Sequence, residues 1–443
     1  MTTKMQIFSR RGIRLSSSKK RTRFKSIEKI KAPEQIILPV QMHIGAPGIP
    51  IVAVGERVLL GQPVTKIEEA ISSPAHSSVS GVVTAIEPRP HPGGGDVLSI
   101  VIQNDFQDEI YPGYAPVDLA TCSLDAFINL VQNAGIVGFG GATFPTHAKI
   151  ISSLGKVNTL IVNGAECEPF ITSDHRVMLE NTDDLINGIK ILMKALGVKK
   201  TYLAIESNKP DVIIHFGKVL KKTGKIKVVP LPTRYPQGAE KVLIKNITGK
   251  EIPPGQLPAS VGCVVFNVET VSSICRLIKT GMPIVSRVVT VSGSAVANPK
   301  NLLVPIGTPI ENLIEASGGF LEDPKKVIMG GPMMGVTQHT LQVPVIKGTN
   351  AVLGFTHDEA KPVPNPACIH CGKCVRVCPM KLLPIYIYKY GEKGMLEDCK
   401  RLNVGDCIEC GCCSYICPGR LHLAQSFKTI KTKLSAYGDK KKG

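Results

Sequence analysis

The chain has 443 residues, 43% of them hydrophobic and only 5% aromatic, with 42 Gly, 33 Pro, 14 Cys and no Trp. At roughly 150 residues per domain this allows about three domains, and the apolar fraction can fill their cores, which excludes a disordered or collagen-like chain. The formal net charge is +18, and its placement matters more than its size.

Residues 1–31 carry eleven Lys/Arg against Glu28 alone, and residues 425–443 carry six Lys against Asp439. The two ends therefore hold fifteen of the net positive charges and leave three for the 393 residues between them. This reads as a nearly neutral body with a flexible basic arm at 1–31 and a basic tail at 431–443. Such ends are either merely solvated or meet an anionic membrane surface or an acidic partner. Nucleic acid is not expected, because aromatic residues are sparse among the basic ones. The Arg/Ser-rich start also has the composition of a transit peptide, but no apolar stretch follows it as in a secretory signal. The longest uncharged run, Gln35 to Gly55, is broken by Pro39, Gly45, Pro47, Gly48 and Pro50, so it cannot cross a bilayer as a helix.

In residues 32–115 the segments Val54–Val64 and Ser73–Val83 resemble a lipoyl-type barrel-sandwich module. Lipoylation needs a Lys at the hairpin tip, and the tip here is Glu68-Glu69-Ala70-Ile71. The module is read as structural, with His76 and His91 as ordinary surface or turn residues.

Residues 116–284 begin with Leu124, Phe127, Ile128, Val131 and Ala134 at helical spacing, followed by a loop containing Gly135, Gly138, Gly140 and Gly141 and then Lys149. Glycine lets backbone N–H groups approach a phosphate or a flavin ring, and a nearby Lys completes an anion site; such loops also simply turn corners. The apolar run Thr159–Asn163 ends in Asn163-Gly-Ala-Glu166-Cys-Glu168-Pro. Polar residues at the carboxyl end of a buried strand are where open α/β sheets bind ligands. Further runs at Tyr202–Ile205, Val228–Leu231 and Cys263–Phe266 alternate with helical stretches and predict a parallel sheet.

After a strand at Val285–Ser292, residues 285–350 resemble a small β-grasp (SLBB) domain, and Thr356–Pro366 reads as a stiff linker. Residues 360–430 then hold ten of the 14 Cys. Cys368-x2-Cys371-x2-Cys374-x3-Cys378-Pro and Cys407-x2-Cys410-x2-Cys413-x3-Cys417-Pro both follow the pattern in which three close thiolates hold one [4Fe–4S] cluster and the fourth reaches the other cluster. This assigns Cys368, Cys371, Cys374 and Cys417 to one cluster and Cys407, Cys410, Cys413 and Cys378 to the second. Paired zinc ribbons are the competing reading, but zinc has no use for the third Cys step or the Cys-Pro ending. Cys399 and Cys412 are left as small buried thiols. Two short helices are predicted between the motifs.

The loop GFGGATFPTHAK resembles GRGGAGFPTGLK, the FMN loop of the flavoprotein subunit of respiratory complex I. NGAECEP is similar to that family's NADEMEP, and Phe266-Asn267-Val-Glu269-Thr270 to its NNVET. Together with Tyr235-Pro-Gln-Gly and the paired cluster motifs, these features identify the chain as resembling the RnfC family, from about residue 32 to 430. The fold this implies is multidomain α/β and β: a barrel-sandwich module, a Rossmann-like flavin/NADH domain, an SLBB β-grasp domain and a helical two-cluster ferredoxin domain.

The resemblance implies non-covalent FMN, NAD(H) and two [4Fe–4S] clusters. Gly138, Gly140, Gly141 and Lys149 would surround the flavin phosphate and ring, Asn163 and Asn267 would add contacts, and Glu166 and Glu168 would face the nicotinamide nucleotide without exchanging protons. Phe139, Thr143, Ala165 and Phe266 depart from the complex I pattern. The implied activity is electron transfer between NAD(H) and membrane partners in an Rnf-type complex that translocates Na+ or H+, on the cytoplasmic side of the inner membrane. A soluble cobalamin reductase of propanediol-utilising microcompartments shares these modules and stays open here, as does a non-catalytic electron conduit.

Overall fold

A computed structural model describes residues 11–222, 224–360 and 367–440. Lys4, Arg10, the last three residues of the expected tail and residues 361–366 of the expected linker lie outside the described residues.

Strand β1 (Ile27–Lys29) precedes a barrel-sandwich of β2 (Gln35–Pro39), β3 (Ile49–Pro50), β4 (Arg57–Val58), β5 (Thr65–Lys66), β6 (Gly81–Pro90) and β7 (Asp96–Asn104). Its antiparallel sheet has the order β2-β7-β6-β4, with β3 and β5 paired beside it. Ile36, Leu38, Ile100 and Ile102 lie on one face of β2 and β7, and Ile37 and Val101 between them are buried as well, so these central segments are covered on both faces. They share one core with Leu160, Val162 and Phe266 of the next domain.

That domain contains α1 (Leu124–Asn133), α2 (Thr146–Ser153), β8 (Thr159–Gly164), α3 (Ser173–Glu180), α4 (Thr182–Leu196), β9 (Lys200–Glu206), α5 (Pro210–Val219), β10 (Ile226–Leu231), α6 (Glu240–Thr248), β11 (Cys263–Asn267) and α7 (Val268–Thr280). Ser123 caps α1 by accepting the Ala126 N–H at 3.1 Å, a contact that stabilises a helix start by about 1 kcal/mol. The sheet order is β10-β9-β8-β11, and every pairing is parallel. The chain runs outward from β8 through β9 to β10, then returns to the other side of β8 for β11. This places a topological switch point between β8 and β11, where Asn163 and Asn267 are register partners.

Next come β12 (Ser286–Ser292), β13 (Lys300–Pro305), α8 (Ile310–Ala316), β14 (Lys326–Met329), β15 (Val336–Gln338) and β16 (Ala351–Phe355). They form a sheet of order β1-β13-β12-β16-β14-β15, so its edge strand is donated by the amino-terminal arm. The last part is helical: α9 (Lys373–Val377), α10 (Pro384–Glu392), α11 (Leu396–Arg401), α12 (Cys412–Tyr415) and α13 (Leu423–Lys440). Ile387, Cys399, Val404, Phe427 and Ile430 form its core. The two helices predicted between the Cys motifs are α10 and α11.

Three expectations need correction. The arm, read as a flexible docking device, is part of the body from residue 11: Gly12 N–H donates to Val377 at 2.9 Å, Arg21 donates to Gly293 and Val296 carbonyls, and β1 pairs with β13. The described part of the tail is not separate either, since α13 runs through it. His76 is buried rather than superficial, and desolvation pulls its pKa down to about 3.

Candidate functional site

The switch point is where an open α/β sheet leaves a crevice at the carboxyl ends of its strands. The glycine loop enters it between α1 and α2. Its base is fixed by Phe139 N–H donating to Thr270 Oγ1 at 3.0 Å and by Thr270 Oγ1–H donating to Val137 O at 3.2 Å. Gly138 N–H donates to Phe144 O at 2.9 Å. Gly140 and Gly141 are exposed. A Cβ on Gly140 would lie 3.2 Å from Asn267 Cβ, whereas Gly141 has φ +149° with open space around it. Gly140, Gly141 and Asn267 are therefore adjacent, and the loop leaves room beside Gly141.

Asn267 starts α7 by accepting the Glu269 N–H at 2.8 Å, and its amide donates to Asp174 Oδ2 at 2.7 Å. Asn163 accepts the Ala165 N–H at 3.1 Å and donates to Gly238 O at 2.9 Å, so the Tyr235–Gly238 loop lies over it. Asp174 was not singled out from the sequence. Burial and the charges of Glu166 and Glu269 push its carboxyl up to about 7.

The other predicted residues are already paired within the protein. Lys149 donates to Glu240 at 2.8 Å and to Val265 O at 3.0 Å. Glu166, at φ +46°, lies 3.4 Å from Lys19 and 3.9 Å from Lys209, and accepts the Asp174 N–H at the start of α3 at 2.7 Å. Glu168 accepts the Met333 and Met334 N–H groups at 3.1 and 3.0 Å, and burial pushes its pKa up to about 7. Both carboxylates, expected to face a nucleotide, thus have partners within the protein: Glu166 holds the arm and Glu168 the β14–β15 loop. Lys19 and Lys209 carried no local signal, since their partner lies 147 and 43 residues away.

Phe139, which departs from the complex I pattern, is buried under the guanidinium of Arg287, 3.9 Å from the ring centroid. Arg287 pairs with Glu269 at 3.2 Å, and both side chains are almost fully buried. An arginine from β12 thus seals the inner side of the glycine loop.

The Cys residues line two cavities. Cys368, Cys371, Cys374 and Cys417 surround an outer one of about 250 Å³ with Ile369, Tyr386 and Lys389, and Cys371 is exposed. Cys378, Cys407, Cys410 and Cys413 surround an inner one with Ile408, Gly411 and Phe427, and three of its four thiols are buried. The two motifs repeat one turn: His370 and Glu409 have φ of +56° and +55°, and their N–H groups donate to Cys368 and Cys407 sulfur, each at 3.4 Å. Leu382 N–H does the same to Cys378. Sulfurs receiving backbone N–H bonds around an enclosed space are what an iron–sulfur cluster needs. Among the described residues no three His, Cys, Asp or Glu side chains converge on a single metal-ion position. Burial pushes the Cys407 thiol up to about 11, so ligation there must displace a proton.

The inner cavity adjoins the α/β domain. Cys410 and Cys412 share an apolar cluster with Ile13, Tyr235, Cys167 and Met333. Lys241 to Asp406 at 3.0 Å and Lys381 to Glu251 at 3.1 Å tie the helical part to α6 and the loop that follows it.

Family models match the chain over its length: the RnfC barrel sandwich hybrid domain at residues 8–107, the Nuo51 FMN-binding domain at 131–276, the SLBB domain at 288–337 and a 4Fe-4S dicluster domain at 363–418. The C subunit of the Na(+)-translocating ferredoxin:NAD(+) oxidoreductase complex of Acetobacterium woodii is 46% identical over 408 residues, 92% of each chain. The chain belongs to the RnfC family. Another relative, the C subunit of the proton-translocating ferredoxin:NAD(+) oxidoreductase complex of Clostridium ljungdahlii, is 44% identical over 98% of this chain and 95% of its own. Among solved structures, an H2-reduced NAD+-reducing [NiFe]-hydrogenase chain aligns with TM-score 0.50 at 19% identity, over 70% of this chain and 63% of that one, a likeness of fold. As an RnfC protein the chain is an oxidoreductase subunit with an FMN domain and a two-cluster domain. The cobalamin-reductase alternative is not favoured, because relatives spanning nearly the whole chain are parts of such complexes. Among the described residues no helix is long and apolar enough to cross a membrane.

Proposed function

We propose that this chain carries electrons between NAD(H) at the β8/β11 crevice and membrane-bound partners of an Rnf-type complex, by way of the inner and then the outer thiol cavity. FMN and two [4Fe–4S] clusters would supply the conversion between hydride and single-electron chemistry when bound. Gly138, Gly140 and Gly141 would give the flavin close backbone approach, with Asn163, Asn267 and Asp174 around its polar edge. Lys149, Glu166 and Glu168 would act at one remove, by holding α2, α3 and the β14–β15 loop in place. Cys378, Cys407, Cys410 and Cys413 would ligate the inner cluster, and Cys368, Cys371, Cys374 and Cys417 the outer.

The observation that carries the order is the apolar contact of Cys410 and Cys412 with Tyr235, whose loop covers Asn163, set against the exposed Cys371 and Ile369 of the outer cavity. The protein would sit on the cytoplasmic face of the membrane, where the exposed Lys20, Lys29, Lys31 and Phe24 could touch anionic lipid at about 1 kcal/mol per cation. Coupling to Na+ or H+ would belong to the complex.

The test is anaerobic reduction of the purified protein by NADH, followed at flavin and cluster wavelengths. C371S should leave the flavin and inner cluster reducible while blocking transfer to an external acceptor. C410S should leave the outer cluster oxidised after NADH has bleached the flavin. Full reduction of the outer cluster in C410S at the wild-type rate would overturn the order, and protein without bound flavin would overturn the NADH reading.

A further inference from the structure

The two basic ends of the chain meet at one place. Arg11, from the arm, donates to the carbonyls of Val375 and Cys378 at 3.1 and 3.3 Å. Lys431, on α13, donates to the carbonyl of Cys407 at 3.1 Å and is paired with Glu409. Cys378 and Cys407 lie far apart in sequence but line the same inner cavity. Two cations from opposite ends of the sequence are thus bonded to the backbone of two of its four thiol residues. The arm is held against this spot by Gly12 N–H to Val377 O and by the Ile13–Tyr235 bridge. Arg11 and Lys431 are both partly buried, so water screens them incompletely. The outer cavity differs: its lining cation, Lys389, is exposed.

We infer that Arg11 and Lys431 are positioning residues that raise the reduction potential of the inner cluster relative to the outer one, with Glu409 setting a limit on the effect. This rests on the ligand assignment proposed above. A cluster gains negative charge on reduction, and local charge and hydrogen bonding are the protein's means of setting its potential. A higher inner potential makes the inner site a place where an electron rests before crossing to the exposed one. It also gives the arm a redox role, beyond closing the SLBB sheet.

The experiment is a redox titration of the full-length protein, purified anaerobically with its clusters and followed by EPR, with C371S identifying which couple belongs to the outer site. R11Q should lower the ratio of reduced to oxidised inner cluster at a poised potential by about three- to tenfold, a fall of about 30–60 mV at 59 mV per decade for one electron. K431Q should move the same couple in the same direction by less, because Glu409 already opposes that charge. E409Q should move it upward, and R11K should restore it. The outer couple should not move in any of them. An inner couple unchanged in R11Q and E409Q, or both couples shifting together, would overturn the inference. Loss of the inner cluster in R11Q and R11K alike would overturn it too, because packing rather than charge would then be what Arg11 supplies. Absence of any cluster signal in the unsubstituted protein would instead count against the ligand assignment.

Discussion

Lys347 offers a measurement in which burial, hydrogen bonding and pH act on one group. It is almost fully buried and its ammonium nitrogen reaches Ser73 Oγ at 2.9 Å, Pro74 O at 2.6 Å and Gly135 O at 2.8 Å. The residue thus fastens the end of the SLBB segment to the barrel-sandwich and to the glycine that opens the flavin loop. A Cβ on Gly135 would sit 2.6 Å from Pro74 O and 2.7 Å from Lys347 Nζ, so the junction has no slack. Desolvation pulls the lysine from 10.5 to about 7, a gap that at 1.36 kcal/mol per pH unit disfavours the buried ammonium by about 5 kcal/mol. The neutral amine still fits, donating to the two carbonyls and accepting from Ser73.

The sign follows from linkage. Above pH 7 the folded protein has released this proton while the unfolded chain keeps it up to about 10.5, so stability rises with pH across that window. Between pH 7 and 9 the gain is about 2 kcal/mol, and the neighbouring His76 and His43 stay neutral throughout. K347M removes the titration and leaves two carbonyls without a donor, at about 1–3 kcal/mol each. The melting temperature of wild type minus that of K347M, measured anaerobically, should therefore rise by about 2 °C from pH 7 to pH 9. A difference that stays constant or narrows would refute the reasoning, because the lysine would then remain charged in its burial site.

Other substitutions test other joints. K19M strips the nearer cation from the buried Glu166, leaving Lys209 at 3.9 Å; it should cost about 3–5 kcal/mol, and K19M/E166Q should recover part of that in thermal denaturation. N267A removes the cap of α7 and the donor to Asp174, so it should cost about 1 kcal/mol and weaken FMN retention several-fold on gel filtration. G331A places a Cβ 2.3 Å from the Glu168 carboxyl carbon; it should destabilise by about 1–3 kcal/mol and open the 331–334 loop to proteolysis, as should E168A, which removes the acceptor of the Met333 and Met334 N–H groups.

The parts legible in the sequence were those whose cause is local. The apolar runs at 159–163, 202–205, 228–231 and 263–266 became four parallel strands, because continuous hydrophobic segments fit a sheet covered on both faces. The thiol spacing likewise brought Cys417 to Cys368 and Cys378 to Cys407, since each motif folds as the same turn. Glu166 and Glu168 were harder. Two acids beside a glycine loop look free for a ligand, and only the fold reveals that Lys19, Lys209 and the Met333 and Met334 amides occupy them. No periodicity carries that information, because the partners come from the arm, another helix start and another domain.

The net charge shows the same limit from the other side. Counting by segment located most of the surplus at the ends, but it could not tell a solvated cation from an internal one. Four of the arm's cations, Arg11, Lys19, Arg21 and Lys25, donate to backbone carbonyls of other parts of the molecule. A cation bound to carbonyls keeps its charge while losing its freedom, so it can still act on a nearby redox centre but no longer reach a distant surface. Any membrane contact by the described arm must then fall to its outward cations; it should weaken with salt, and K20Q/K29Q/K31Q should reduce it far more than R11Q does. On the proposals made above, the arm would have two separable electrostatic tasks, one directed inward at the thiol cavity and one outward.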